Sequence, residues 1–304
     1  MVDEEKLKKA AEIGLQAFKL ADKLIHKEKE NRIIKIVEEL EKFIKANANL
    51  AFPVNFSVNE VAAHDTAQEK DPRMLKEGDI IKIDIGVHVD GYIADMAKTY
   101  IHGEDIYNLK EMIKANENAL KEAVKHIKPG IKINEIGEII ENTAEKEGFA
   151  VIANLTGHGI GRYDIHSNYS IPNIRNSETR ELEENDLIAI EPFFAEGKGR
   201  AYIKDAESVE IYAFNTKSHS TPRSVLGRKM YAEIKSKYAT GLPFAKRWLT
   251  TLQGFAKKKA LYDLMQQNII EGYPVLIERN KKKVSQAEAT ILVKDKPLIF
   301  SPVL

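Results

Sequence analysis

Two eight-residue stretches repeat one pattern, and each closes on a carboxylate: Glu77 to Asp84 (EGDIIKID) and Glu184 to Glu191 (ENDLIAIE). Both read acid, turn residue, Asp, aliphatic, Ile, any residue, Ile, acid. A turn pair feeding a β-branched run is a strand entering a sheet. Alternation along that strand puts Ile80, Lys82 and Asp84 on one face and Ile81, Ile83 and Ile85 on the other. An acid at the end of a buried strand is costly unless it is paired or bound to a metal. Its recurrence 107 positions on predicts a duplicated fold that brings two acids to one site.

The duplication extends to the flanking segments. Lys8 to Ile25 aligns with Lys110 to Ile127, and both carry apolar residues at helical spacings of three and four. A second helix is expected after each, over about Arg32 to Ala46 and Glu135 to Glu147. Asn134 is the N-cap candidate of the latter, and Gly148 stands just past its end. Helices followed by strands, twice in the same order, place the chain in the α/β (α+β) class. After Glu191 the pattern breaks. Tyr231 to Lys237, Ala245 to Gln253 and Phe255 to Asn268 have helical periodicity, so 214–272 reads as a helical insertion. The sheet is expected to resume with one strand over Ser285 to Val293, which also carries an acid, Glu288.

Composition narrows the function. The 46 basic residues equal the 46 acidic ones, so no overall field favours nucleic acid or an anionic membrane. No run approaches the roughly 20 apolar residues of a membrane span, and the charged N-terminus lacks a secretory core. Cysteine is absent, which removes disulfides, thiolate metal sites and a Cys nucleophile. The expected compartment is the cytoplasm. Lys257-Lys258-Lys259 and Lys281-Lys282-Lys283 are local basic clusters that read as solvated faces.

The first acid has a partner. Asp90-Gly91 is a two-residue hairpin turn. Counting back from it, Val89 opposes Tyr92, Gly86 opposes Asp95 and Asp84 opposes Ala97. Asp84 and Asp95 then share a face as diagonal neighbours, about 7–8 Å apart at Cα. Such like charges repel unless something positive lies between them. Gly157-His158-Gly159-Ile160-Gly161 sets an imidazole among glycines, where a backbone can approach an ion or substrate closely. Taken singly, His158, His64, His166 and the Glu191-Pro192 strand end are equally ordinary loop or structural residues. Together, Asp84, Asp95, His158, Glu191 and Glu288 supply four carboxylates and one imidazole. That set suits two divalent ions, with Mn, Co or Fe preferred and Zn tolerated.

This order of residues resembles the methionine aminopeptidases over nearly the whole chain. The similarity rests on Asp84, Asp95 eleven positions on, His158 in its glycine loop, Glu191-Pro192 and a final Glu288. The insertion and the run Gly157 to His166 resemble the type 2 branch. X-Pro peptidases share the ligand set but usually carry a large N-terminal domain, and only 83 residues precede Asp84 here. The resemblance implies a duplicated pita-bread fold over 1–304 as a single catalytic domain. It implies removal of initiator methionine through metal-activated hydroxide. Asp95 and Glu288 would bridge the metals, Asp84 would complete one shell, and His158 with Glu191 the other. Glu191 would also move a proton, His166 would bond the scissile carbonyl, and His64 would lie near the peptide nitrogen. Phe52, Ile165, Phe193 and Tyr273 would shape the methionine pocket. The implied partners are nascent N-termini, with no DNA and no membrane. The expected state is a monomer, and a ribosome contact is left open. The alternatives are an X-Pro peptidase, or a non-catalytic ribosome- or RNA-binding relative.

Overall fold

Residues 2–27 and 30–304 are described by the computed structural model. The chain opens with α1 (Glu4–Asp22), where the carboxylate of Asp3 accepts the Lys6 N–H at 3.2 Å. Leu7, Ala10, Ala11, Gly14, Ala17, Phe18 and Ala21 form its buried stripe, as the spacing predicts. One wider helical turn, Lys23–Lys27, follows. Then come α2 (Ile33–Asn47), β1 (Asn49–Leu50), β2 (Asn55–Val58), β3 (Val61–Ala63), β4 (Ile80–Val89) and β5 (Tyr92–Ile101). The same order of two helices and then strands recurs. It runs α3 (Lys110–Lys125), α4 (Ile133–Glu147), β6 (Ala150–Ile152), β7 (Thr156–Gly161), β8 (Asp164–Pro172), β9 (Leu187–Ile190), β10 (Phe193–Ala195), β11 (Gly199–Ala201) and β12 (Ile203–Phe214). The remainder is α5 (Val225–Tyr238), β13 (Phe244–Ala245), α6 (Gly254–Gln266), β14 (Ile270–Glu278), β15 (Val284–Gln286), β16 (Ala289–Leu292) and β17 (Leu298–Phe300).

The β4–β5 hairpin has the register counted from its turn: Val89 opposes Tyr92, Gly86 opposes Asp95 and Asp84 opposes Ala97. The other edge of β4 takes β2, with Asn55 opposite Asp84, and β1. Ile81, Ile83, Ile85 and Val87 pack beneath α1 and α2, which leaves the Asp84 face to the interior of the molecule. In the second half, β9 lies between β7 and β16, and Ile188 and Ile190 pack with α3 and α4. Each pair of helices therefore covers the apolar face of its own strands, and the acids stand on the opposite face.

Four sequence expectations need correction. Helix α4 starts at Ile133 with Lys132 as its cap residue, and the Glu135 carboxylate accepts the Lys132 N–H at 3.3 Å. Asn134 therefore lies inside the first turn. Residues 245–253 are not a helix: after β13 they make one short 3-10 turn, Lys246–Trp248. Side chains outcompete the helix there. Glu41 takes Arg247 and Trp248, and the Glu233 carboxylate accepts the Thr250 and Thr251 N–H groups at 2.9 and 3.0 Å. The last strand is two, β15 and β16, because the chain passes from β10 to β9 as its partner. The basic clusters are only partly solvated. Lys257 is buried and bonds Glu69 at 2.9 Å, and the Lys283 ammonium lies 4.2 Å from the Tyr107 ring centroid. The insertion also leaves and re-enters at a paired strand end, Phe214 opposite Ile270. Strand β14 pairs with β12 and β3 and sets Tyr273, the residue after the insertion, in that sheet.

Candidate metal centre

Five strands or strand ends deliver the five acidic and imidazole groups. Asp84 comes from the middle of β4 and Asp95 from β5. His158 comes from β7, Glu191 from the residue after β9, and Glu288 from the break between β15 and β16. Donor atoms of Asp95, His158 and Glu288 all lie within 4.8 Å of one another, and all three residues are buried. His158 Nε2 is 3.7 Å from an Asp95 oxygen and 3.5 Å from a Glu191 oxygen. The break that exposes Glu288 is itself anchored. The Glu288 N–H donates to the Ala97 carbonyl at 3.1 Å, bypassing the strand ladder.

Hydrogen bonds hold this arrangement on both sides of Glu288. The Thr290 hydroxyl accepts the Asp95 N–H at 2.6 Å and donates to the Asp95 carbonyl at 2.7 Å. Thr99 does the same for Gln286, at 2.8 and 2.6 Å. Two threonines thus staple β5 to β15 and β16 where no regular strand pairing exists. The sequence reading missed both. The available signal was Thr290, two positions after Glu288 and hence on its face.

The electrostatics favour a cation. Burial, then the charges of Asp84 and Glu191, push the Asp95 carboxyl well above its ordinary range. Glu288 is raised by burial and then by Asp95, Glu191 and Asp84. Glu191 is raised by burial and then by Asp84. Burial lifts Asp84 to about 7. Conversely, burial and then His166 press His158 down to about 3. His158 Nδ1 lies 3.2 Å from the Gly159 carbonyl, so a neutral ring donates there and turns the lone pair of Nε2 toward two carboxylates. A lone pair facing anions is repulsive, and Asp84 Oδ1 and Asp95 Oδ1 are buried without a hydrogen-bond partner. Divalent ions satisfy all of these groups at once. The donor set fits them.

The glycines around His158 act inside a strand, not in the loop the sequence suggested. A Cβ on Gly157 would lie 2.3 Å from the Ala189 carbonyl oxygen, and one on Gly159 would lie 2.5 Å from that of Ser167. Only glycine lets β7 close on β9 and β8. Opposite β7, the pairing of β8 shifts between Ser170 and Ser167. That bulge sets His166 edge-on to His158, with ring centroids 4.5 Å apart. His64 directly follows β3 with φ at +61°, a sparsely allowed backbone for a residue with a Cβ. Its Nδ1 is buried without a partner, and its ring meets Tyr273 edge-on at 5.5 Å. Burial and then His166 lower its pKa to about 4.

One cavity of about 580 Å³ is lined by every residue singled out from the sequence. The five acidic and imidazole groups form part of its wall, with His64 and His166 and with Phe52, Ile165, Phe193 and Tyr273. Asn55, Thr156 and Tyr169 are among the further lining residues that were not anticipated. Phe52, Ile165 and Phe193 are almost fully buried, and the Phe52 ring fills the space a side chain at Gly86 would need.

A duplicated α/β fold closing on a buried carboxylate–imidazole cluster is the architecture of a metallohydrolase. Metallopeptidase family M24 matches residues 5–211, and the chain belongs to that family. It is 42% identical over 302 residues to a methionine aminopeptidase of Thermococcus onnurineus, covering 97% of each chain. It is 38% identical over 293 residues to one of Methanocaldococcus jannaschii, covering 96% of this chain and 95% of the other. Among solved structures, a thermophilic Arx1 superposes with a TM-score of 0.83 at 16% identity, over 99% of this chain and 92% of that one. That likeness is one of fold. Among the described residues, no helix is long and apolar enough to cross a membrane.

Proposed function

We propose that this chain is a cytoplasmic two-metal aminopeptidase that removes the initiator methionine from nascent polypeptides. The observation that carries the reading is the meeting of the acidic cluster with two further histidines and an apolar pocket in one cavity. Asp84, Asp95, His158, Glu191 and Glu288 would hold the ions. Divalent ions bound there lower the pKa of water and polarise a carbonyl. The protein's own groups do the rest. His166, edge-on to His158, donates to the scissile carbonyl oxygen and bonds it more strongly as charge develops. Glu191 stands beside His158, takes a proton from the attacking water and passes it to the leaving amine as the C–N bond breaks. His64 aligns the peptide nitrogen from the Tyr273 side. Phe52, Ile165, Phe193 and Tyr273 enclose the methionine side chain and exclude water from it.

In this reading 1–304 is a single catalytic unit and 214–272 is an insertion that returns Tyr273 to the cavity. The identity levels and shared coverage support methionine as the first residue, and a small second residue is expected. The test is release of methionine from Met-Ala-Ser by metal-supplied protein, compared with Ala-Pro and Met-Pro. Turnover of Met-Ala-Ser alone is the expected result. Faster cleavage of Ala-Pro would replace this reading with an X-Pro peptidase, and no cleavage of any of them would leave only a binding protein.

A further inference from the structure

The balanced charge of this chain conceals a segregation. Residues 215–268 carry eleven Lys and Arg against two acids, Glu233 and Asp263. Because the whole chain sums to zero, the remainder carries a net charge of −9 against +9 for this segment. Five of the eleven cations are already paired: Lys237 with Glu233 and Lys259 with Asp263 inside the segment, and Lys246, Arg247 and Lys257 with Glu210, Glu41 and Glu69 outside it. Glu233 is buried and bonded to Lys237, Thr250 and Thr251, and Asp263 is paired with Lys259.

The packing turns part of these charges outward. Helices α5 and α6 pack together through Met230, Ile234, Ala260, Leu261 and Leu264, and onto the β12–β14 strands through Tyr212 and Ile270. That uses up the apolar face of each helix. Their outward faces carry Arg228, Lys229 and Lys235 on α5, and Lys258 and Lys259 on α6, all exposed. On α6, exposed Phe255 and Tyr262 bracket the two lysines at a spacing of seven, and hence on the same face. Phe255 is 82% exposed, an outlier for a phenylalanine.

We propose that this face of the insertion binds RNA, holding its phosphates with the lysines and arginines and stacking unpaired bases on Phe255 and Tyr262. Interleaved cations and aromatic rings suit single-stranded or looped RNA, whose bases are free to stack. Regular duplex DNA offers phosphates but no unstacked base. A membrane-lying helix needs a continuous exposed apolar face, and α6 has spent its own against α5. The binding face is separate from the cavity: none of these residues lines it.

The test is fluorescence anisotropy of a labelled RNA stem-loop with the full-length protein, titrated over a range of salt. Binding should weaken steeply with salt, by about 0.7–0.9 in log K per log salt for each phosphate neutralised. Combined Arg228→Gln, Lys229→Gln, Lys235→Gln and Lys258→Gln should weaken binding at least tenfold and make the salt dependence shallower. Phe255→Ala with Tyr262→Ala should weaken the stem-loop at least about fivefold and leave a perfect duplex unchanged. Peptide cleavage by all these variants should match the native protein, which separates this outcome from failure of the aminopeptidase reading. Three results would overturn the proposal: no salt-dependent binding, equal binding by the fourfold variant, or preference for anionic vesicles, duplex DNA or an acidic peptide.

Discussion

Replacing Gly157 with alanine tests whether the glycines beside His158 set the site by allowing close backbone approach. The new Cβ would meet the Ala189 carbonyl oxygen at 2.3 Å and Ile190 Cα at 3.2 Å. Both are backbone atoms of β9 and cannot rotate away, so the strands must part by about 1 Å to reach ordinary contact. His158 pairs with Ala189 in that same ladder, and Glu191 follows one residue after β9. The separation therefore moves one donor relative to another. Overpacking of this kind costs about 1–3 kcal/mol, a fall in Tm of roughly 2–12 °C for a chain of this size. A displacement of about 1 Å in a catalytic constellation costs about 100-fold in rate. Thermal melts of the metal-free protein, metal titration and steady-state kinetics on Met-Ala-Ser measure the three effects. A Gly157→Ala protein with native metal affinity and kcat within about twofold of normal would refute the close-packing argument, whatever its Tm.

Four further outcomes follow from the same geometry. His166→Ala should keep its metal and lose about 10²–10³-fold in kcat, whereas His158→Ala should lose metal affinity along with activity, as metal analysis beside kinetics would show. Because Asp84, Asp95, Glu191 and Glu288 have raised pKa values without metal, metal binding near pH 6 should release protons. Calorimetry in buffers of different ionisation enthalpy detects this, and a buffer-independent heat would contradict it. His64 has a folded pKa of about 4 against an ordinary value of about 6.5, so the unfolded chain takes up its proton first. The stability of the metal-free protein should be intact above pH 6.5 and fall toward pH 4, more steeply than in His64→Asn; parallel curves would dismiss the effect. Arg247→Met should cost about 3–5 kcal/mol by leaving the buried Glu41 carboxylate short of its charged partner, and a loss under 1 kcal/mol on urea unfolding would show that Trp248 and Lys45 suffice.

The sequence alone determined what local periodicity and local turns encode. The alternation of Ile80 to Ile85 and the Asp-Gly turn at Asp90 fixed the β4–β5 register to the residue, because a two-residue hairpin leaves no freedom in pairing. The repeated acid-ended strands gave the duplication and two of the acidic groups. Beyond that, the resemblance to a known family carried the assignment of His64, His166 and the pocket residues. Periodicity could not see competition from distant side chains, such as Glu41 drawing Arg247 and Trp248 out of a helical pattern across more than 200 positions. Nor could it see that Glu288 stands in a break between two strands, held by the Thr99 and Thr290 bonds across gaps of 187 and 195 residues. The overall charge balance is a sum and is silent on where the cations lie; the packing of α5 on α6 decides which of them face outward. Composition and short-range pattern are properties of neighbours along the chain. The closing of the cluster, the strained His64 and the basic face are properties of neighbours in space, and those are decided when the two halves pack.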